Sequence, residues 1–198
     1  NGTFDLLVPT DVAGNGTERG AQTVVISVVE NSSEFYLTST ASQAVNVMGV
    51  TMIDQLLPFN QVIITRGNDV DLASRLVESS NINAPLAGQD VSVMFDTTPL
   101  GIQTTTAEGW ANFTHSIPPT QKLGPIVITF TYAGSSDLLS TEANMTNIRI
   151  RSTTILLIDA VTENPVAGEM FNVTGTIGSD NGSNLTTVSG NRLIANLI

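Results

Sequence analysis

The clearest pattern in the chain is an alternation of apolar and polar residues between positions 85 and 132. Every second residue is apolar, apart from His115, in the runs 91–95, 113–117 and 128–132, and Gly or Pro residues separate the runs. A period of two is typical of half-buried antiparallel strands joined by turns. Gly, Pro, Asn and Ser interrupt every candidate helical stretch of ten or more residues. The sequence therefore predicts an all-β protein.

The chain also resembles itself at a shift of about one hundred residues, which indicates an internal repeat. The match decides an ambiguous stretch, residues 66–76, whose apolar spacing alone also fits a helix. Its partner, residues 167–177, contains Phe-Asn-Val-Thr-Gly-Thr-Ile and is a poor helix former, so we expect both to be strands. The other aligned segments are 88–95 with 190–197, 4–9 with 113–118, and Ile26 and Val28 with Ile128 and Phe130.

Turn-forming residues recur along the chain at roughly strand-length intervals. Hairpin turns are expected at residues 14–16, 133–135 and 179–182, where Gly, Asn, Asp and Ser cluster. About seven short strands in a unit of about 100 residues is the size of a two-sheet sandwich of immunoglobulin type. The sequence thus predicts tandem Ig-like β-sandwich repeats, with 1–48 the C-terminal half of one, 49–150 a complete repeat and 151–198 the N-terminal half of the next.

Four motifs carry a family resemblance: Pro-Leu-Ala-Gly-Gln-Asp-Val-Ser-Val at 85–93, a turn-like 104–109, a strand that ends at Ile117-Pro118, and Ile-Val-Ile-Thr-Phe-Thr-Tyr-Ala-Gly at 126–134. The pattern resembles the bacterial and archaeal Ig-like repeats of large surface proteins. The resemblance implies an extracellular, cell-surface location and a repeat fold. Because that family includes stalks, adhesins, surface-layer proteins and spacers of exoenzymes, it implies no single task.

The two half-repeats would each leave an apolar face and a strand edge open. The chain starts with neither Met nor a signal-peptide pattern, so we expect a mature or excised segment that continues at both ends. The alternative is that the front half of one molecule completes the back half of the next, which would generate a filament.

Composition narrows the function classes. The chain has 18 acidic and 7 basic residues, a formal net charge of −11, and Lys122 as its one lysine. This charge repels nucleic acid, and no local run of basic residues reverses it, so we expect no nucleic-acid partner. The chain has no cysteine and no run of 18 apolar residues, so we expect neither a thiolate site nor a membrane span.

Asn-x-Ser/Thr triplets are unusually frequent: there are eight, where about four would arise by chance. A Ser-, Thr- and Asn-rich β protein generates some without glycosylation. Several of these asparagines fall in turns or on the polar side of strands, where a glycan can reach solvent, so we expect an N-glycosylated exterior protein. The candidate acceptors are Asn1, Asn15, Asn31, Asn112, Asn144, Asn172, Asn181 and Asn184.

Calcium is a candidate metal, because carboxylate and amide oxygens are its ligands. Candidate places are Asp54, Asp159 with Glu163, and the stretch Asn68-Asp69-Val70-Asp71, although no Asp-x-Asp-x-Asp-Gly loop is present and solvated turn carboxylates are the alternative. No other cofactor is expected.

Nothing in the sequence indicates catalysis. The single histidine, His115, aligns with the inward position Leu6, so we expect it to be partly buried, and no Gly-x-Ser-x-Gly motif is present. Trp110 falls on the outward side of its strand beside Asn112. There it would form an inter-repeat contact, stack against a glycan or cover a loop.

These observations predict a structural component of a cell-surface layer or extracellular filament, built from glycosylated Ig-like repeats and without enzymatic activity. Its partners would be neighbouring copies of itself and N-linked glycans. The alternatives are an adhesin or carbohydrate-binding repeat module, and a non-catalytic spacer of a secreted hydrolase.

Overall fold

The structure is a computed structural model that describes residues 3–7, 19–29, 37–58, 62–79, 83–161, 166–168, 170, 173–180 and 185–187. These residues form fourteen strands and no α-helix, which confirms the all-β prediction. The strands are β1 Gly20–Val28, β2 Ser39–Val47, β3 Thr51–Leu57, β4 Val62–Thr65, β5 Asp69–Glu78, β6 Ala84–Pro85, β7 Asp90–Phe95, β8 Thr98–Thr104, β9 Trp110–Ser116, β10 Gly124–Tyr132, β11 Thr141–Arg151, β12 Thr154–Val161, β13 Val173–Asp180 and β14 Leu185–Thr187.

The described strands form four sheets. Two have the orders β4-β11-β10-β7-β8 and β3-β5-β6, with β9 also paired to β5; the others are the β1-β2 pair and β12-β13-β14. Strand β4 pairs in parallel with β11, whereas β7 pairs antiparallel with both β10 and β8. The order β11-β10-β7-β8 matches strands G, F, C and C′ of immunoglobulin-type sandwiches, and β3, β5 and β9 match A, B and E.

The two larger sheets face each other across an apolar core. The ring of Phe113 on β9 meets the ring of Phe130 on β10 edge-on, with centroids 6.1 Å apart and planes at 63°, a favourable aromatic geometry. Because β9 and β10 belong to different sheets, this contact joins the layers of a β-sandwich. The alternating positions of the sequence pattern are the buried ones: Val91, Val93, Phe95, Phe113, Ile117, Ile128, Phe130 and Tyr132.

Contacts between residues group the chain into two compact units. Unit 1 comprises 1–57, 72–113 and 128–144, and unit 2 comprises 58–71, 114–127 and 145–198. The buried apolar residues of unit 1 are Ile53, Leu72, Ala73, Leu76, Val77, Leu86, Val91, Val93, Phe95, Ala111, Phe113, Ile128, Phe130, Tyr132 and Leu138. Those of unit 2 are Ile64, Val70, Ile117, Ile126, Met145, Ile148 and Ile150.

Four of the five unit boundaries fall inside strands, in β5, β9, β10 and β11, and the fifth falls at the end of β3. They therefore do not test the predicted repeat boundaries at 48/49 and 150/151, which stay predictions. The stretches 66–76 and 167–177 were expected to be strands. Residues 69–76 lie in β5, after a turn in which Gly67 has φ +77°, and residues 173–177 lie in β13. Residues 169, 171 and 172 lie outside the described part.

Of the three expected hairpin turns, the structure describes one fully. Residues 133–135 lie in the loop that joins β10 to β11, where Gly134 has φ +89° and the Ser135 N–H donates to the Leu138 carbonyl at 2.9 Å. Of the expected turn at 179–182, Ser179 and Asp180 belong to β13 and pair with β14, and residues 181 and 182 lie outside the described part. The turn at 14–16 also lies outside it. In the part of the chain that the structure describes, no helix has the length and hydrophobicity that a membrane crossing needs.

Candidate functional site

The candidate acceptor Asn112 lies on β9 and is exposed between the buried residues Ala111 and Phe113. Its side chain therefore points away from the sandwich core. The hydroxyl of Thr114, the third residue of the same triplet, donates a hydrogen bond to Asp71 Oδ1 at 2.7 Å. A glycan on Asn112 would extend from the outer face of the sheet that contains β5 and β9.

The second described acceptor, Asn144, lies on β11 of the other sandwich sheet, exposed next to the buried Met145. Its Oδ1 accepts a hydrogen bond from the Thr129 hydroxyl at 2.6 Å, and its Nδ2 donates to Glu142 Oε1 at 3.2 Å. An amide nitrogen carries two hydrogens, so attachment of a sugar at Nδ2 leaves one that can still donate to Glu142. The geometry is compatible with glycosylation in the folded state.

The other six candidate acceptors lie outside the described residues. They are Asn1, Asn15, Asn31, Asn172, Asn181 and Asn184.

Sequence reasoning missed an ion-pair cluster in unit 1. Glu78, at the end of β5, is 5% exposed, and its Oε2 lies 2.7 Å from Nη1 of Arg19, the residue that precedes β1. Arg19 Nε also lies 3.4 Å from Asp137 Oδ2 in the loop between β10 and β11. No local pattern could reveal this cluster, because Arg19 and Glu78 are 59 residues apart in sequence.

Gly49 fits the same cluster because it has no side chain. Its N–H donates to the Asp137 carbonyl at 2.8 Å, and a Cβ at this position would lie 2.6 Å from Glu78 Oε1. A buried carboxylate is costly unless it is paired and hydrogen-bonded. The Arg19 guanidinium therefore compensates for the burial of Glu78 and ties the residue before β1 to β5.

The carboxylates proposed as calcium ligands have separate protein partners. Asp54 Oδ2 pairs with Arg75 Nη1 at 3.0 Å, and Asp69 Oδ1 accepts from the Ser116 hydroxyl at 2.5 Å. Asp159 Oδ2 accepts from the Thr176 hydroxyl at 2.9 Å. Asp71 Oδ1 accepts a hydrogen bond from the Thr114 hydroxyl, and the Asn68 N–H donates to the Thr65 carbonyl at 3.3 Å. Glu163 lies outside the described residues.

Metal binding by these groups has no geometric support. Among the described residues, the structure brings together no group of three or more His, Cys, Asp or Glu that could hold a metal ion.

His115 and Trp110 are both half-buried on β9. For His115 this agrees with the expectation of a partly buried core position, and burial lowers its pKa below the ordinary value of 6.5. Trp110 shares the outward side with Asn112, as expected. Its carbonyl accepts from the Thr106 N–H at 2.9 Å, which closes the turn before β9.

The described residues present two solvent-facing amide acceptors, Asn112 and Asn144, on the strands of a β-sandwich. No family model matches the chain, and no curated protein matches it.

Proposed function

We propose that the chain is a structural component of a cell-surface layer or extracellular filament, built from N-glycosylated Ig-like repeats. The protein would have no enzymatic activity, and its partners would be neighbouring copies and the attached glycans. The location would be extracellular.

One observation carries most of the proposal. Asn112 and Asn144 lie at exposed positions on the two different sheets of the sandwich, while their strand neighbours Ala111, Phe113 and Met145 are buried. Glycans at these positions would cover the outer faces of the sandwich without disturbing its core. A covered, rigid β-sandwich repeated along a chain suits a structural role at the cell exterior.

The distribution of aromatic residues supports the structural role over carbohydrate binding. A carbohydrate-binding repeat is expected to present exposed aromatic rings on one sheet. In the described sandwich strands, Phe95, Phe113, Phe130 and Tyr132 are buried and Trp110 is half-buried. These rings stabilise the core instead of lining a surface, so no specific observation favours the carbohydrate-binding alternative.

The proposal can be tested by brief protease treatment of intact cells of the organism that makes the protein, followed by mass spectrometry of the released peptides. The expected result is release of peptides from this chain, with hexose-containing mass additions on those that contain Asn112 and Asn144. Protein that is protected until the cells are lysed, and that carries no glycan, would contradict the proposal.

A further inference from the structure

The charge of the chain is unevenly divided between its two compact units. Unit 1 holds twelve acidic and two basic residues, a formal charge of −10, whereas unit 2 holds six acidic and five basic residues, a formal charge of −1. Both basic residues of unit 1, Arg19 and Arg75, are in ion pairs with carboxylates. Any basic side chain without a carboxylate partner therefore belongs to unit 2.

The fold brings four basic residues of unit 2 together, although they are far apart in sequence. Arg66 follows β4, and its N–H donates to the carbonyl of Arg151 at the end of β11 at 2.9 Å. Its Nε donates to the carbonyl of Gln121 at 2.6 Å, which places it beside Lys122. Arg149 lies two positions before Arg151 on β11, which pairs with β4 in this region. We call Arg66, Lys122, Arg149 and Arg151 the basic cluster.

The basic cluster faces solvent. Arg149 and Arg151 are exposed and alternate with the buried residues Ile148 and Ile150, so both point away from the core. Lys122 is also exposed and Arg66 is half-buried. The absence of a basic run in the sequence therefore did not exclude a local basic surface.

The charge of the basic cluster is not neutralised by the protein within the described part of the chain. None of its four side chains has a carboxylate within 4.0 Å there. The nearby acidic residues of unit 2, Asp69 and Asp71, lie on β5 in the other sheet and accept hydrogen bonds from Ser116 and Thr114.

A contact already present in the chain indicates what such cations bind. In unit 1, Arg19 lies 2.7 Å from a carboxylate oxygen of Glu78 and 3.4 Å from one of Asp137. The cations of the basic cluster have no such carboxylate in the described part of the chain. Carboxylates are therefore the groups that we expect them to bind.

We propose that the basic cluster is the docking surface for the acidic unit 1 of a second copy of this chain, and this rests on the proposed role as a self-assembling structural component. The second copy is the favoured occupant because its unit 1 supplies the complementary charge. The exposed carboxylates there include Asp90, Glu108 and Glu142. Salt at physiological strength screens charges beyond about 8 Å, so two chains of net charge −11 can still attract each other where opposite charges come close.

The contact is heterologous, since a basic surface meets an acidic one, and copies can therefore add end to end. It differs from the completion of one half-repeat by another, because it needs no exchange of strands. It is also expected to be sensitive to salt, as contacts between exposed charges are.

The test is sedimentation velocity of the purified chain over a range of concentrations at low and high salt. At low salt we expect reversible self-association that weakens as salt is raised. The variant Lys122→Gln/Arg149→Gln/Arg151→Gln is expected to raise the dissociation constant by about tenfold, since exposed ion pairs each contribute modestly. A wild-type chain that stays monomeric at low salt at every concentration overturns the proposal.

A control variant separates the effect of net charge on self-association from the effect of the local contact. The triple glutamine variant has a formal charge of −14, and Thr23→Glu/Ser27→Glu/Thr40→Glu, at exposed positions of the β1-β2 pair, has the same charge. The control variant is expected to associate more tightly than the glutamine variant. Equal weakening in both overturns the proposal, and thermal unfolding of each variant verifies that it is folded.

A charge exchange identifies the partner surface. Chains with Lys122→Glu/Arg149→Glu/Arg151→Glu and chains with Asp90→Lys/Glu108→Lys/Glu142→Lys should each fail to self-associate, yet bind each other when mixed. Failure of the mixture to associate overturns the assignment. Tight binding of heparin by a wild-type chain that does not self-associate would overturn it in favour of an anionic polymer. None of these outcomes depends on cell-surface location, so the proposed function can fail separately.

Discussion

The replacement of Gly109 by alanine tests the packing of β9 against β5. Gly109 has φ +82°, and a Cβ built there would lie 2.5 Å from the carbonyl oxygen of Leu76. That carbonyl belongs to the buried strand β5, and the Leu76 N–H donates to the Gly109 carbonyl at 2.9 Å, so neither backbone can withdraw without loss of a hydrogen bond. The left-handed conformation costs a residue with a Cβ about 1–2 kcal/mol, and overpacking costs about 1–3 kcal/mol. We expect Gly109→Ala to lower the free energy of unfolding by about 3 kcal/mol.

Gly88→Ala is the matched control, because Gly88 has φ +70° but no atom within 4 Å of a built Cβ. Gly88→Ala should lower the free energy of unfolding only by the cost of the left-handed backbone conformation, about 1 kcal/mol. Urea denaturation followed by circular dichroism measures both variants against the parent chain. The difference between the two losses isolates the steric conflict with Leu76. If the two variants are destabilised equally, the close approach of β9 to β5 at this point is refuted.

Three further outcomes are expected. Arg19→Ala should lower the free energy of unfolding by about 1–2 kcal/mol, because the buried Glu78 loses its guanidinium partner. Arg19→Lys should lower it less. An unchanged urea midpoint for Arg19→Ala would contradict this expectation. Burial lowers the pKa of His115, so the folded state binds fewer protons than the unfolded state. The free energy of unfolding should therefore fall as the pH drops through about 6.5, and it should fall less in His115→Gln. Identical pH profiles for the two proteins would contradict this expectation. Asn112→Gln and Asn144→Gln, expressed in the native host, should each remove the mass of one glycan from the intact protein, whereas an unchanged glycan mass would show that the site is unoccupied.

Local alternation was sufficient to predict the strands that build the core. Val91, Val93 and Phe95 on β7, like Phe130 on β10, are buried because the period of two assigns them to one face. The same argument placed Asn112 on the outer face of β9. Core and candidate acceptor sites thus follow from the same pattern, since both depend on which face of a strand a residue occupies.

Strand β8 was not predicted because it lies at the edge of its sheet and most of its side chains are exposed, so burial imposes no alternation on it. The turn that precedes it was also missed. Phe95 pairs with Thr98, which leaves Asp96 and Thr97 as a two-residue turn, and Asp96 has φ +55°. An Asp that tolerates positive φ is the one local signal that could have indicated this turn.

The charged clusters lie beyond what a sequence pattern can give. Arg66 reaches Arg151 because β4 pairs with β11, and Arg19 meets Glu78 only in the fold, since the two are 59 residues apart in sequence. A count of basic residues in sequence windows therefore finds no cluster. The glycosylation triplets, by contrast, are short and local, so the sequence alone identified them. The structure adds the exposure and the hydrogen bonds of the two triplets at Asn112 and Asn144.

The proposed role of this chain is that of a glycosylated structural component of the cell exterior. The most direct measurement is immunogold electron microscopy of intact, unpermeabilised cells, with antibodies raised against the purified chain. We expect dense labelling of the outer surface or of filaments that extend from it, with comparable labelling after mild glycosidase treatment. Gold particles that appear only after the cells are permeabilised, and only inside them, would contradict the claim.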